Sequence, residues 1–264
     1  MHGVGRRFDC SDPDQRTIAL MEAAAAVRRG DLVVLPTDTV YGIGADAFTP
    51  DAVKSLLDAK GRGRDMPPPV LVGTVRAATA LVDDLGAYGQ DLIDAFWPGP
   101  LTLVCKANRA LSWDLGETKG TVAVRMPLHP VALDLLKETG PMAVSSANRS
   151  GSPAATTAEE AEEQLGDSVE VYLDGGKSTD NTPSTILDLT TAVPRLLRRG
   201  GHPGGEAARH HRVRRHRRLT YTRCLFRLLS RPGRDYGEAR SGDTSGSGPW
   251  ASTTAWIPSW SVTC

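Results

Sequence analysis

Short apolar runs alternate with longer amphipathic stretches through the first two hundred residues, and that rhythm leaves few folds open. Residues 32–35, 101–106 and 121–125 are typical runs, each bounded by Gly, Pro or polar clusters. Between the runs, residues 14–29, 50–59, 75–84, 88–96, 130–138 and 157–165 carry helical patterns. Asp12-Pro13 offers a cap and a first-turn proline to the first of these, and Gly30 stops it. Such alternation predicts a sheet covered by helices. The order is not a regular strand–helix repeat, because 101–106 and 121–125 follow one another without a helix, as do the last three runs. The fold class is therefore α+β (mixed α/β), with a mixed sheet of about seven strands.

The pattern stops near residue 200. Residues 1–200 hold 20 Lys+Arg against 27 Asp+Glu, whereas residues 201–264 hold 11 Arg, no Lys and 4 Asp+Glu. The formal net charge of zero thus hides an acidic body, 1–200, and an Arg-rich tail, 201–264. The tail lacks periodicity and apolar content, so composition predicts disorder. Its arginines suit weak, non-specific RNA binding, or the tail has no evolved role. No run approaches the about 18 apolar residues of a membrane helix, and no secretory signal is visible, so a cytoplasmic protein is expected. The four cysteines form no C-x-x-C pair, which argues against a zinc or redox motif.

Several short segments can carry chemistry. Pro36-Thr37-Asp38-Thr39-Val40-Tyr41-Gly42 follows a strand directly, and ligands of open α/β sheets bind beyond the carboxyl ends of strands. Lys60-Gly61-Arg62-Gly63-Arg64 offers a point charge and planar forks that match phosphate geometry. Ser145-Ser146-Ala147-Asn148 again places small polar groups after a strand. Pro183-Ser184-Thr185-Ile186 and Arg198-Arg199 each offer further polar groups. Trp97-Pro98-Gly99-Pro100 reads as a structural turn. Gly42-Ile43-Gly44-Ala45-Asp46-Ala47 fits a dinucleotide-binding pattern, but Thr37-Asp38-Thr39 separates it from the strand and no helix starts at it. Outside the tail the histidines are His2 and His129, and no G-x-S-x-G elbow exists, so a serine-nucleophile enzyme is not indicated.

Taken in order, these segments, with Phe96-Trp97-Pro98-Gly99-Pro100-Leu101-Thr102 and Val124-Arg125-Met126-Pro127, resemble the successive signatures of the YrdC/Sua5 family over about residues 14–200. The resemblance implies a three-layer fold, a twisted mixed sheet and a basic cavity. It implies a nucleotidyltransferase that turns L-threonine, bicarbonate and ATP, with Mg2+, into L-threonylcarbamoyl-AMP and pyrophosphate. A separate transfer complex then modifies adenosine 37 of tRNA. By similarity Lys60, Arg62, Ser146 and Asn148 form the catalytic polar core that handles ATP phosphates, joined by Arg198 and by the backbone of Thr121. Thr39, Arg125 and Ser184 resemble the residues that hold threonine, helped by the backbone at Val144. Met66 and Leu71 depart from the family pattern near the nucleotide and threonine respectively, and nothing in residues 201–264 resembles the second domain of the longer, Sua5-type members. The alternatives are a non-catalytic RNA-binding module of the same fold and a hydrogenase-maturation carbamoyltransferase relative. The latter carries zinc-finger-like segments that this chain lacks.

Overall fold

The computed structural model describes residues 5–178 and 181–200; the expected tail at 201–264 lies outside them. Strand β1 (Arg6–Asp9) leads into helix α1 (Pro13–Arg29). Asp12 caps α1 by accepting the Asp14 and Gln15 N–H groups, and Gly30 at φ 90° ends it. There follow β2 (Val33–Leu35), β3 (Gly42–Asp46), α2 (Pro50–Lys60), β4 (Val70–Leu71), α3 (Val75–Leu81), β5 (Val82–Asp84) and α4 (Gly86–Phe96). The chain continues through β6 (Leu101–Ala107), β7 (Thr121–Arg125), α5 (Pro130–Thr139), β8 (Met142–Ser146) and α6 (Ala158–Leu165). It ends in β9 (Val171–Asp174), β10 (Thr185–Asp188) and β11 (Arg195–Arg198). Among the described residues no helix is long and apolar enough to cross a membrane.

Eleven strands form one sheet, in the order β1-β9-β2-β3-β8-β4-β7-β6-β10-β11, with β5 also paired to β6. The mixed class is as expected, with β6–β7 antiparallel and β6–β10 parallel. The strand count exceeds the seven or so read from sequence because β1, β3 and β5 lack an apolar run. β3 reads Gly-Ile-Gly-Ala-Asp, and glycine is a poor strand former. Here it is required: a Cβ on Gly42 would sit 2.6 Å from Val144 Cγ1, and one on Gly44 2.8 Å from Met142 Cε. Those glycines lie inside a strand, not at a strand-to-helix turn, so the dinucleotide pattern has no structural counterpart. The last three strands do not lie together. β10 and β11 form an antiparallel pair beside β6, whereas β9 runs between β1 and β2.

Alternation along the strands builds three layers. Val33, Leu35, Leu71, Met142 and Val144 pack with α1 and α5 on one face. Val34, Ile43 and Ala45 pack with α2 and α6 on the other, and Val70, Ala143 and Val124 join α3 and α4 on that second face.

Candidate active site

Thr102, Arg125, Leu71 and Val144 alternate with Leu101, Leu103, Val124, Val70 and Ala143, which pack beneath α3 and α4. The first four therefore share the opposite face, and with the 37–42 segment they line a cavity of about 420 Å³. The cavity also takes in Arg62, Ser145, Ser146 and Asn148 from one side and Ser184 and Arg198 from another. It covers part of the sheet's face and reaches the carboxyl end of β8, whereas sequence reasoning placed it beyond the strand ends. A mixed sheet has no common carboxyl edge, so loops from opposite edges meet over the face instead.

At one end the Pro36–Tyr41 connection folds down to Arg125. The buried guanidinium, 6% exposed, donates from Nε to Gly99 O (3.0 Å), from one terminal nitrogen to Thr39 Oγ1 (3.1 Å) and from the other to Asp38 Oδ1 (2.5 Å). Asp38 Oδ1 also accepts the Leu128 N–H at 2.9 Å. The Trp97–Leu101 turn thus supplies the carbonyl that holds Arg125 Nε, and Trp97 Nε1 braces that turn by donating to Leu101 O at 2.7 Å. Ser184 Oγ accepts from Arg198 at 3.0 Å and lies 2.8 Å from Thr102 Oγ1, while Arg198 Nε donates to Ser184 O at 2.9 Å.

At the other end Gly61, at φ 62°, terminates α2 in the left-handed conformation that glycine adopts without strain. The turn lets both Lys60 and Arg62 face the loop after β8. Lys60 is 3% exposed, and its Nζ donates to Ser146 O (2.5 Å) and Asn148 O (2.6 Å). Burial, and then the Arg62 charge, push its ammonium down to about 7. Asn148 Nδ2 donates to Arg149 O and Ser152 O, so the amide locks the loop on itself. Arg62, 9% exposed, donates to Ser145 Oγ at 3.1 Å, and its Nε is buried without a hydrogen-bond partner. Burial lowers the Arg62 pKa, against the pull of Asp65. Neither cation has a carboxylate within ion-pair distance among the described residues. A cavity wall that carries Arg62 and small hydroxyl groups, backed by the buried Lys60, is suited to a compact polyanion.

A family model described as telomere recombination, covering Sua5, YciO and YrdC, matches residues 25–200. The chain belongs to the Sua5/YciO/YrdC family. A Mycobacterium tuberculosis relative, provisionally named threonylcarbamoyl-AMP synthase, is 58% identical over 193 residues, covering 73% of this chain and 89% of that protein. The threonylcarbamoyl-AMP synthase of Pyrococcus abyssi is 40% identical over 182 residues, 69% of this chain and 54% of its own. The crystal structure of P. abyssi Sua5 complexed with L-threonine superposes with a TM-score of 0.70 at 37% identity, covering 76% of this chain and 58% of that one. The chain thus spans little more than half the length of that longer relative.

Of the residues expected from the Sua5/YciO/YrdC resemblance, the structure brings Thr39, Arg62, Arg125, Val144, Ser146, Asn148, Ser184 and Arg198 to the cavity. The Val144 N–H is already given to Pro69 O at 2.9 Å. Lys60 stands behind the wall, bracing the loop that carries Ser146 and Asn148. Thr121 lies elsewhere: it lines a separate cavity of about 460 Å³ with Lys106, Arg109 and Trp113. It is the first residue of β7 and Arg125 the last, about 13 Å apart along an extended strand. Leu71 lines the main cavity, and Met66 does not. Sequence reasoning gave no individual role to Thr37, Asp38, Thr102 or Ser145. Their proximity to better-marked residues was the available signal.

Proposed function

We propose that the chain is an L-threonylcarbamoyl-AMP synthase, a nucleotidyltransferase acting on L-threonine, bicarbonate and ATP. The observation that carries this reading is one cavity holding an anchored arginine at one end and the carboxylate-free, buried Arg62 at the other, with Lys60 behind that wall. The names of the relatives agree with it. Arg125 keeps guanidinium N–H groups beyond its three protein bonds, which suits the carboxylate of an amino acid. Arg62, Arg198, Ser146 and the Lys60-braced loop receive the triphosphate.

The threonine amine combines with bicarbonate to give a carbamate and water. A carbamate oxygen then attacks the α-phosphorus, and the bond to pyrophosphate breaks with its electron pair leaving on pyrophosphate. No protein nucleophile is required. The protein holds two anionic reactants in line and offsets their charge. Magnesium enters as part of the substrate, MgATP, where it would offset phosphate charge. The product is an activated acyl-adenylate for a downstream transfer complex to pass to tRNA, a role that a cytoplasmic protein would serve. A cavity of about 420 Å³ favours this chemistry over an RNA-binding module, which needs a broad basic face.

The test is incubation with MgATP, labelled bicarbonate and single amino acids. Threonine-dependent pyrophosphate release with label in an adenylate is the expected result. Release without dependence on any amino acid would overturn the assignment.

A further inference from the structure

One peptide of the loop after β8 is gripped from two directions. The peptide joining Asn148 to Arg149 is trans, so its carbonyl and its N–H point opposite ways. The carbonyl accepts from Lys60 Nζ at 2.6 Å. The N–H donates to Gln164 Oε1 at 3.2 Å. Gln164 lies in the last turn of α6, and its Nε2 donates to Pro153 O at 3.1 Å. These partners fix the orientation of the amide, because a backbone N–H only donates and a carbonyl only accepts. The Gln164 carbonyl also accepts from Arg149 Nε at 2.9 Å. One turn earlier on the same face of α6, Glu160 accepts the Thr156 N–H at 2.7 Å. The helix thus holds the loop at Arg149, Pro153 and Thr156, and Ser152, Pro153, Ala154 and Thr156 line the main cavity.

We propose that Gln164 is a positioning residue for the phosphate end of the cavity, acting on Asn148 and Lys60 through the peptide that joins Asn148 to Arg149. The inference rests on the MgATP-dependent reading above and adds a residue that the reading does not use. Gln164 does not line the main cavity; with Glu163 and Asp167 it lines a separate one of about 840 Å³. Its effect on a nucleotide therefore passes through the loop. The Asn148 amide takes its orientation from the same span. Its Nδ2 donates to Arg149 O at 2.9 Å and to Ser152 O at 2.8 Å, two carbonyls that lie between the backbone groups Gln164 holds. Within that span Gly151, at φ 89°, is the residue about which the backbone turns most freely. A bond to the carbonyl alone leaves the peptide free to swing about it. A second bond on the N–H removes that freedom, so Lys60 and Gln164 together set the plane from which Asn148 is aimed.

Calorimetry on the full chain, with MgATP and with L-threonine, tests this. Gln164→Met keeps the length of the side chain and loses both amide bonds. It should bind MgATP about tenfold more weakly than wild type, with L-threonine affinity within about twofold. Gln164→Glu still accepts the Arg149 N–H. In about 0.3 M salt, which screens its added charge, it should bind MgATP within about threefold of wild type. If Gln164→Met does not fold, Gln164→Ala gives the same comparison, since alanine favours the helix. Undiminished MgATP affinity in the apolar variants would overturn the proposal. So would equal losses for MgATP and L-threonine, or a glutamate variant as impaired as the apolar ones. A wild type that binds neither MgATP nor L-threonine defeats the synthase reading itself. A wild type that binds both, beside a Gln164→Met variant with the same affinities, defeats this inference alone.

Discussion

The two ends of the cavity treat their arginines differently. Arg125 is buried against a carboxylate, Asp38, and every one of its nitrogens has a protein acceptor. Arg62 is nearly as buried, yet it reaches a neutral serine and leaves Nε without a partner. A neutralised, fully braced guanidinium is pre-oriented and costs little to hold, so it suits a ligand of low net charge that must be placed accurately. An uncompensated pair of cations is costly in the free protein and gains most from a polyanion. The difference separates positioning from charge stabilisation.

The largest effect should therefore come from the uncompensated end. Arg62→Ala should lower threonine-dependent pyrophosphate release by about 10²–10³-fold while the urea midpoint stays at or above that of wild type. Loss of a buried charge without an anion partner removes a penalty rather than a bond. A collapsed fold in this variant would erase the contrast. Asp38→Asn comes next. It removes the partner charge of Arg125, and breaking a buried ion pair costs about 3–5 kcal/mol. Part of that should appear as lower stability and part as a tenfold or greater rise in KM for threonine, with KM for MgATP held. Equal changes in both constants would show that the two ends are not separate.

Lys60 gives the comparison a pH dependence. In the folded protein its pKa is pushed from the ordinary lysine value of 10.5 down to about 7, mainly by burial. Between those values the unfolded chain binds the proton and the folded protein does not, so stability rises with pH across that window. A triphosphate favours the ammonium form, so MgATP binding takes up a proton near pH 8. Affinity should weaken as pH rises above about 7. Calorimetry in buffers of different ionisation enthalpy measures the uptake, and Lys60→Met should abolish it. Threonine binding should keep its wild-type pH profile in that variant.

How far the sequence discloses all this depends on what each residue does. Helices α1, α2, α5 and α6 were legible because caps and apolar spacing are local. Asp12-Pro13 before Gln15, and Thr157 before Glu160, announce their helices before any tertiary contact exists. β3 was not legible, because its glycines answer to Val144 and Met142 a hundred residues away. In the site, Lys60 and Arg62 were visible from residue type as candidate anion binders, whereas Arg125 entered through the family resemblance. That Arg125 is paired and Arg62 is not was not visible, since it depends on Asp38 and Leu128 meeting Arg125 through the fold.

The smallest effect is the most discriminating for reading cation motifs. Arg64 shares the Lys60-Gly61-Arg62-Gly63-Arg64 segment and looked equivalent to Arg62 in sequence. The structure turns it outward: its side chain is 56% exposed and donates to both Asp114 carboxylate oxygens, at 2.8 and 3.0 Å. That pairing raises the Arg64 pKa, the opposite direction from Arg62. An exposed, paired guanidinium is screened by solvent and contributes little. Arg64→Ala should keep KM for threonine and MgATP within about twofold of wild type. A hundredfold loss there would mean that proximity in the chain, rather than burial without an anion, selects the phosphate-binding cations, and the contrast between the two ends would lose its physical basis.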